Sequence, residues 1–469
     1  MSSLDDVLAL SALDQARLLR ARTVSSEELT RACLDRIARH DGRFGSFVQV
    51  MPRRALASAR RKDRVLAKTA ATELPPLFGV PIGVKDLNMV RGTFTRAGSR
   101  AYRYFLSPVD DTSARKIREA GFVILGKLAT SELGAMPVTE TDLHPPARNP
   151  WDVGRTPGGS SGGSGAAVAA GLLPLAHGSD GAGSIRIPSS FCHLFGIKPS
   201  RGRVEDVLGR PDRDALPTCG PLARTVEDAA ALLDVLAGIT VGKPHWAPPP
   251  PKPFLELSRV PPRPLRIRFT TLSPLATTTP EVKDAVTRVL RVLEGMGHAV
   301  EEGPPPEATL DEFLPLWQRL IGNVLVVSES VLQPVTRWLH EAGKKLSDAE
   351  VTAQQHRLAA RILAWFGDAD VWVTPTVAGP PPEIGAWKGL PPREAFEQAA
   401  HLGAFTALYN VSGQPASSVP AGVSRDGHPI GVQLAGRVNE DALVLALSRE
   451  LEGAMPWRDR RAPTAVGRG

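Results

Sequence analysis

Apolar and polar positions along the chain follow two periods, one typical of helices and one of buried strands. Leu29 and Cys33 recur at helical spacing, and Ser25 with Glu28 upstream predicts a capping box. This pattern predicts a helix that continues through Arg39. Further helices are predicted at the basic amphipathic segment 53–68 and at 112–120, 166–170, 225–236 and 280–296.

Short apolar runs between these helices predict buried strands. One run ends at Lys85, and the others lie at 122–126, 265–269, 370–377 and 430–434. Because helices alternate with short apolar strands, the pattern predicts an α/β fold with a mixed, mostly parallel sheet. No internal repeat is evident, and the proline-rich segment 244–264 is predicted to be a stiff surface connector.

Composition is typical of a globular protein with no membrane partner. The 469 residues can bury a large core, and 42% of them are apolar while 22% are charged. No apolar run approaches about 18 residues, and the acidic start lacks the apolar stretch of a signal peptide. Cys33, Cys192 and Cys219 form no C-x-x-C pair. This cysteine usage predicts a cytoplasmic protein without the usual zinc spacings.

The net charge of +7 makes nucleic-acid binding a hypothesis to test. The positive residues are scattered, however, and their densest clusters, 53–62 and 458–461, lie near the two ends of the chain. Aromatic residues are only 5% of the sequence. A nucleic-acid partner is therefore not expected.

The first glycine-rich segment of interest, 158–165, contains Ser160 and Ser161. By itself it fits a flexible linker, a phosphate-binding loop or a catalytic loop. A phosphate-binding loop of the common type needs a lysine, and none follows here. Residues 159–163 also match the G-x-S-x-G elbow of hydrolases, with Ser161 as nucleophile. That elbow needs a preceding strand, and 149–157 does not have the pattern of one.

A second glycine-rich segment, 178–184, ends at Ser184. Consecutive backbone N–H groups in such a turn can stabilise the negative oxygen that develops on a carbonyl under attack. Lys85 follows an apolar run whose glycines and proline allow close backbone approach. Lowering a lysine pKa from about 10.4 to about 7–8 takes roughly 4 kcal/mol, which burial can supply. A neutral amine there could accept a proton from a serine.

Together, Lys85, Ser160 and Ser184 resemble the amidase signature family. Seventy-five positions separate Lys85 from Ser160, and 24 separate Ser160 from Ser184, as that family requires. The signature block corresponds to 158–199, and similarity covers roughly residues 5–457. Further familial motifs lie at 126–132, 148–151, 410–415 and 431–433, and the stretch 240–370 is the least informative.

The resemblance implies a Ser-Ser-Lys triad that hydrolyses an amide without metal or other cofactor. Ser184 would be the nucleophile and form an acyl-enzyme. Ser160 would pass a proton from Ser184 toward Lys85, which would act as the general base in its neutral form. The family also places a cis peptide bond before the bridging serine, here between Gly159 and Ser160.

The family further implies an oxyanion hole and supporting residues around the triad. Backbone N–H groups of Gly181, Ala182 and Gly183, with that of Ser184, would hold the oxyanion. Hydrogen bonds from three more side chains would support these loops; they are Ser161, Asp180 and Arg186.

Three positions depart from the family pattern without removing a triad atom. Ala182 stands where glycine is usual, so a positive φ at this position would be strained. His193 also replaces a usual glycine and is interpreted as a packing residue near the site. Ser200 stands where threonine is usual.

Within the family, the chain is most similar to members of the 6-aminohexanoate cyclic-dimer hydrolase type, which share the 176–178 and 410–415 motifs. This similarity suggests a linear or cyclic aliphatic amide as substrate. The main alternative is an amidotransferase A-type subunit, which usually has glutamine in place of Ile187 and Tyr-Gly-Arg in place of 201–203. A catalytically silent binding protein is the alternative outside enzymes.

The resemblance implies one amidase domain over 1–469, with helices on both faces of the sheet. A small-molecule amide and a second copy of the chain are the expected partners, with no membrane and no nucleic acid. The expected regions are an N-terminal helical part (1–70), the catalytic core (71–240), the connector (244–264), a variable helical part (265–370) and the C-terminal part of the core (371–469).

Overall fold

The computed structural model describes residues 4–205, 216–238 and 245–466. These residues contain eleven strands, which form one sheet, and sixteen α-helices. The strands are β1 (Phe47–Val50), β2 (Pro81–Lys85), β3 (Val123–Leu128), β4 (Leu175–Asp180), β5 (Phe195–Lys198), β6 (Thr218–Ala223), β7 (Arg266–Phe269), β8 (Ala299–Glu302), β9 (Val371–Pro375), β10 (Ala416–Val423) and β11 (Pro429–Gly436).

The helices flank this sheet and lie along the whole chain. They are α1 (Leu4–Ala9), α2 (Ala12–Arg20), α3 (Ser26–His40), α4 (Pro52–Leu66), α5 (Thr112–Glu119), α6 (Gly162–Ala169), α7 (Arg186–Phe191), α8 (Val226–Leu236), α9 (Phe254–Leu257), α10 (Pro280–Gly295), α11 (Leu310–Gly322), α12 (Pro334–Gly343), α13 (Asp348–Phe366), α14 (Pro392–Ala400), α15 (Ala407–Val411) and α16 (Asp441–Ala454).

The sheet is mixed, which confirms the α/β prediction. Its strand order is β1-β3-β2-β4-β6-β5-β10-β11-β9-β7-β8. The expected majority of parallel pairs is not found, because four pairs are parallel and six are antiparallel. Four strands were not predicted from apolar runs, because they contain glycine, serine or proline instead of a continuous β-branched run. They are β4, β5, β6 and β10. Several of these strands have antiparallel neighbours, which short turns such as 424–428 can join.

The N-terminal part is helical as predicted, with one exception. Ser25 caps α3, and its hydroxyl accepts from the backbone N–H of Glu28 while the Glu28 carboxylate accepts from the Ser25 N–H, which confirms the capping box. Residues 47–50, however, form β1, which pairs with β3 at one edge of the sheet. Four residues with only partial burial give too short a pattern to predict such a strand.

The connector prediction can be compared with the structure from residue 245 onward. The predicted boundaries at 240 and 244 lie outside the described residues. From 245 to 253 the chain has neither helix nor strand and is largely exposed, and it then enters the short helix α9. None of the helices among the described residues combines the length and apolar content needed to cross a bilayer.

The order of the strands determines where the catalytic candidates lie. β2 and β4 are parallel neighbours in the sheet, so their carboxyl ends lie at the same edge. Lys85 is the last residue of β2, and Asp180 is the last residue of β4. A separate apolar cluster packs helices α11, α12 and α14 against the loops that follow β2 and β3. The edge that holds Lys85 is therefore covered by helices.

Candidate active site

Lys85 is fully buried and lies against the bridging serine predicted from the sequence. Its Nζ is 2.7 Å from Oγ of Ser160 and donates to the backbone carbonyl of Ser179 at 3.1 Å. Lys127, a second fully buried lysine on β3, instead pairs with Asp86 at 2.6 Å. Lys127 also donates to Oγ1 of Thr95 at 3.0 Å. The two buried lysines therefore differ in their principal partner, which is a carboxylate for Lys127 and the hydroxyl of Ser160 for Lys85.

The loop before α6 holds Ser160 and is hydrogen-bonded to the segment of Ser184. The peptide bond between Gly159 and Ser160 is cis, which confirms the expectation from the family. The backbone N–H of Ser161 donates to the carbonyl of Ser184 at 3.3 Å and so joins the two serine loops. Exposure falls from 7% at Ser184 to 2% at Ser160 and 0% at Lys85. The three side chains are therefore progressively more buried, with Ser184 nearest to solvent.

The turn from 181 to 184 presents backbone N–H groups beside the hydroxyl of Ser184. The N–H of Gly183 already donates to Oδ1 of Asp180 at 2.7 Å. Within the described ranges, the N–H groups of Gly181, Ala182 and Ser184 have no protein acceptor. Gly183 has a φ of +131°, whereas Ala182 is outside the positive-φ region. Ala182 therefore does not carry the strain that a positive φ would cause, because the neighbouring Gly183 adopts the positive φ instead.

Asp180 and Arg186 form a buried ion pair below this turn. Nη2 of Arg186 lies 2.9 Å from Oδ1 of Asp180, and neither side chain is exposed. Burial alone would raise the pKa of Asp180, but the charge and hydrogen bonds of Arg186 hold it well below its usual range. Oδ2 of Asp180 also accepts the backbone N–H of Ile185 at 3.1 Å. This carboxylate thus holds the turn 181–184 through the N–H groups of Gly183 and Ile185.

Two residues from distant parts of the chain complete the support of Arg186. Asn410 accepts from Nη2 of Arg186 at 2.6 Å, and its amide donates to the carbonyl of Asp180 at 2.9 Å. Gln433 accepts from Nη1 of Arg186 at 2.7 Å. Both residues lie in motifs shared with the family, but no local pattern indicates their role, since their contacts with Arg186 span more than 200 residues.

Ser161 lacks the partners of a nucleophile in an elbow. Its hydroxyl donates to the carbonyl of Ser179 at 3.0 Å and accepts the N–H of the same residue at 3.3 Å. No strand precedes it, because residues 149–157 form turns. His177 lies close in sequence to Ser179, but neither of its ring nitrogens has a hydrogen-bond partner among the described residues. Ser161 therefore acts as a link between its own loop and the end of β4.

Ser184 opens into an apolar cleft of about 740 Å³, a volume that includes its open mouth. Within the described part of the chain, no lining side chain is charged. Trp317 on α11 forms part of the wall, and its Nε1 donates to the carbonyl of Ala135 at 3.0 Å. Its ring lies 3.0 Å from the position that a Cβ would occupy on Gly181. Trp317 thus joins the turn 181–184 to the loop after β3.

No sequence motif indicates this wall. Besides Trp317, it contains aromatic and aliphatic side chains from α11, α13 and α14, including Leu310, Phe313, Leu358, Ile362 and Phe396. Their helical periodicity shows only that they are buried, and the contacts with the catalytic loops depend on how the helices pack. Across the residues described, no three His, Cys, Asp or Glu side chains are grouped as metal ligands would be.

His193 does not line this cleft. It is buried in the turn after α7, with a φ of +56°, and its ring lies 5.1 Å from that of Trp151. It lines a separate cavity, which is described below.

Comparison with known proteins identifies the family of this chain. The family model described as Amidase matches residues 28–445, which is most of the chain. The chain belongs to the amidase family. An amidase-family protein of Synechocystis sp. is 40% identical over 450 residues, with 95% of this chain and 89% of the relative covered. The 6-aminohexanoate-cyclic-dimer hydrolase of Pseudomonas sp. is 34% identical, with 98% of this chain and 97% of the relative covered.

A solved structure supports the same assignment. The structure of 6-aminohexanoate cyclic dimer hydrolase complexed with substrate superposes with a TM-score of 0.89. It is 30% identical in sequence, and the match covers 97% of this chain and 99% of that one. As a member of the amidase family, this protein is an amide hydrolase.

Proposed function

We propose that this enzyme hydrolyses a carboxamide through an acyl-enzyme on Ser184, with Ser160 and Lys85 as a proton relay. The observation that supports the proposal is the 2.7 Å contact between Nζ of Lys85 and Oγ of Ser160 in a buried position. Ser184 lies at the cleft, and the loop of Ser160 is bonded to its backbone.

In the first half-reaction, neutral Lys85 accepts a proton from Ser160 while Ser160 accepts the proton of Ser184. Oγ of Ser184 then bonds to the carbonyl carbon, and the carbonyl electron pair moves to its oxygen. When the C–N bond breaks, the relay returns a proton to the nitrogen, which leaves as an amine or ammonia. Water repeats the sequence on the ester and releases the carboxylate.

The oxyanion of the tetrahedral intermediate would be held by backbone donors of the turn. We assign this role to the N–H groups of Gly181, Ala182 and Ser184, because the N–H of Gly183 is engaged by Asp180. Gly183 contributes the positive φ that shapes the turn. Ser161, Asp180 and Arg186 hold the loops in place through the buried hydrogen bonds described above.

The substrate is proposed to be a linear or cyclic aliphatic amide with no charge close to the scissile bond. The cleft beside Ser184 has an apolar wall without charged side chains in the described residues, so a charged substrate group would lose water there without compensation. The similarity to a cyclic-dimer hydrolase favours the same class. Free glutamine carries two charges at its α-carbon, so this wall argues against an amidotransferase A-type subunit.

Two further parts of the proposal concern the cellular setting. A cytoplasmic location is proposed from the three cysteines, which are all buried and unpaired. A homodimer is proposed from the family alone. A small-molecule amide is the proposed ligand, with no cofactor.

A serine-reactive fluorophosphonate probe tests which serine is the nucleophile. We expect the unmodified enzyme to be labelled and to cleave neutral anilides and aliphatic amides. Ser184→Ala should lose labelling and lower kcat by at least about 10³-fold, since it removes covalent catalysis. Ser161→Ala is the matched control and should keep most of its labelling. Labelling that persists in Ser184→Ala but disappears in Ser161→Ala would refute the assignment.

A further inference from the structure

A second cavity lies where the C-terminal segment 457–462 crosses the turn after α7. It measures about 250 Å³ including its open mouth, and its interior has room for about one water-sized sphere. Among the described residues it shares no lining residue with the catalytic cleft. The indole groups of Trp151 and Trp457 form apolar walls. Arg224 and His193 form the polar part of the interior.

Arg224 is a buried guanidinium with an unused donor. Its Nη2 donates to the backbone carbonyls of Ala9 and Leu10, which end α1. Its Nη1 is buried and has no hydrogen-bond partner among the described residues. Burial lowers the pKa of Arg224 to about 9, with the positive charge of Arg461 adding to the effect. Arg224 is therefore still a cation at neutral pH.

Among the described residues, no acidic side chain forms an ion pair with Arg224 or lines the cavity. Within the described ranges, the charged residues that line the cavity are all arginines: Arg224, Arg458, Arg460 and Arg461. Arg458 lies 3.6 Å from Asp459, but the Asp459 side chain is 86% exposed and is a weak partner. The charge of buried Asp228 acts on Arg224, but within the described ranges the two side chains form no ion pair within 4 Å, and the Asp228 oxygens accept the backbone N–H groups of Ala12 and Leu13.

His193 supplies the second donor. Both of its ring nitrogens are buried without a partner among the described residues. Burial lowers the pKa of His193 to about 3, and the charge of Arg460 adds to this, so the ring is neutral at physiological pH. A neutral imidazole has one N–H to donate. The cavity thus contains two donors, one of them on a cation, and no acidic side chain in the described residues.

We propose that this cavity binds a small inorganic anion of about the size of chloride, held by Nη1 of Arg224 and the ring N–H of His193. An anion accepts from both donors and neutralises a buried charge that otherwise has no adjacent counter-ion. Because the interior has room for about one water-sized sphere between the two indole walls, it is too small for larger anions such as sulfate. Because Arg224 and Arg461 both bond to the carbonyl of Ala9, the anion would attach the C-terminal segment to α1.

A single water molecule is the competing occupant, and diffraction distinguishes the two. Crystals of the unmodified protein grown in sodium bromide should show an anomalous peak between Arg224 and His193. A cavity without such a peak, at bromide concentrations where the melting temperature has stopped rising, would overturn the proposal.

Thermal unfolding provides the second test. An anion that binds only the folded protein should raise the melting temperature in sodium chloride above its value in sodium gluconate of equal ionic strength, by about 2 °C or more. His193→Gly should lose this rise, since glycine suits the φ of +56° while the donor is removed. Arg224→Gln should lose it as well.

Arg20→Gln is the matched control. Arg20 is half-buried and also donates to backbone carbonyls, those of Leu74 and Pro75, but it does not line the cavity. This variant should keep the full chloride response. An equal chloride response in His193→Gly and in the unmodified protein would contradict the proposal, whether or not Arg224→Gln folds.

Discussion

The two buried lysines at the active-site edge allow catalysis to be separated from stability. Lys85 on β2 and Lys127 on β3 are both fully buried, and their strands are parallel neighbours. Replacing each with methionine keeps the length of the side chain and removes the amine. If the proposed relay is correct, only Lys85→Met removes the base.

The structure gives different stability costs for the two substitutions. In Lys85→Met the hydroxyl of Ser160 loses its amine partner, whereas the carbonyl of Ser179 keeps the hydroxyl of Ser161 at 3.0 Å. One unsatisfied buried group costs about 1–3 kcal/mol. Lys127→Met leaves the carboxylate of Asp86 buried without its cation, which costs about 3–5 kcal/mol. The variant with the smaller loss of stability should therefore have the larger loss of activity.

Urea unfolding and steady-state kinetics on one neutral anilide provide the two measurements. We expect kcat of Lys85→Met to fall by about 10²–10⁴-fold, as is typical for loss of a general base. Folded Lys127→Met should retain kcat to within about tenfold. A small alkylamine should partly restore the activity of Lys85→Ala, because it can supply the amine that this variant lacks. If Lys85→Met kept more than a tenth of the kcat of the unmodified enzyme, Lys85 could not be the base.

Three further predictions concern the oxyanion turn, the cleft and the pH dependence of stability. Gly183→Ala would place a Cβ about 2.3 Å from Oγ1 of Thr406 at a residue whose φ is +131°, so the turn must shift. We expect kcat to fall by at least about 10²-fold, and a decrease in kcat of less than threefold would contradict the assignment. Trp317→Phe leaves the carbonyl of Ala135 without its donor, and urea unfolding should show a loss of about 1–3 kcal/mol; unchanged stability would show that the contact is dispensable. Burial raises the pKa of Glu452 from 4.5 to about 7, so the stability that its protonated form contributes is present below about pH 4.5 and is lost as the pH rises through 7. The free energy of unfolding of Glu452→Gln should therefore match that of the unmodified protein at pH 4.5 and exceed it by about 3 kcal/mol at pH 8. Equal urea midpoints of the two proteins at pH 8 would refute the shift.

Local sequence was sufficient for the helices whose apolar positions repeat regularly. The segments predicted at 112–120 and 280–296 correspond to α5 (Thr112–Glu119) and α10 (Pro280–Gly295). In the helix predicted at 225–236, Thr225 caps α8 (Val226–Leu236), and its hydroxyl accepts from the N–H of Asp228. These features depend on contacts within a few residues, so the sequence specifies them directly.

The strands that hold the site were harder to predict. β4 (Leu175–Asp180) and β6 (Thr218–Ala223) are buried throughout, but their glycines, serines and prolines resemble turn residues. At some of these positions the neighbouring strand approaches so closely that only glycine fits. At Gly220, for example, a Cβ would lie 2.5 Å from the carbonyl oxygen of Ile197.

The sequence by itself was sufficient to assign the family of this protein, because Lys85, Ser160, Ser184 and the residues around them lie in short motifs with fixed spacing. Only the tertiary structure placed Trp317 against Gly181 and brought Asn410 to Asp180. The apolar cleft likewise depends on helices α11, α13 and α14 packing over the sheet edge. Such contacts join residues that are far apart in the chain, and burial drives them without leaving a local pattern that would identify the partners.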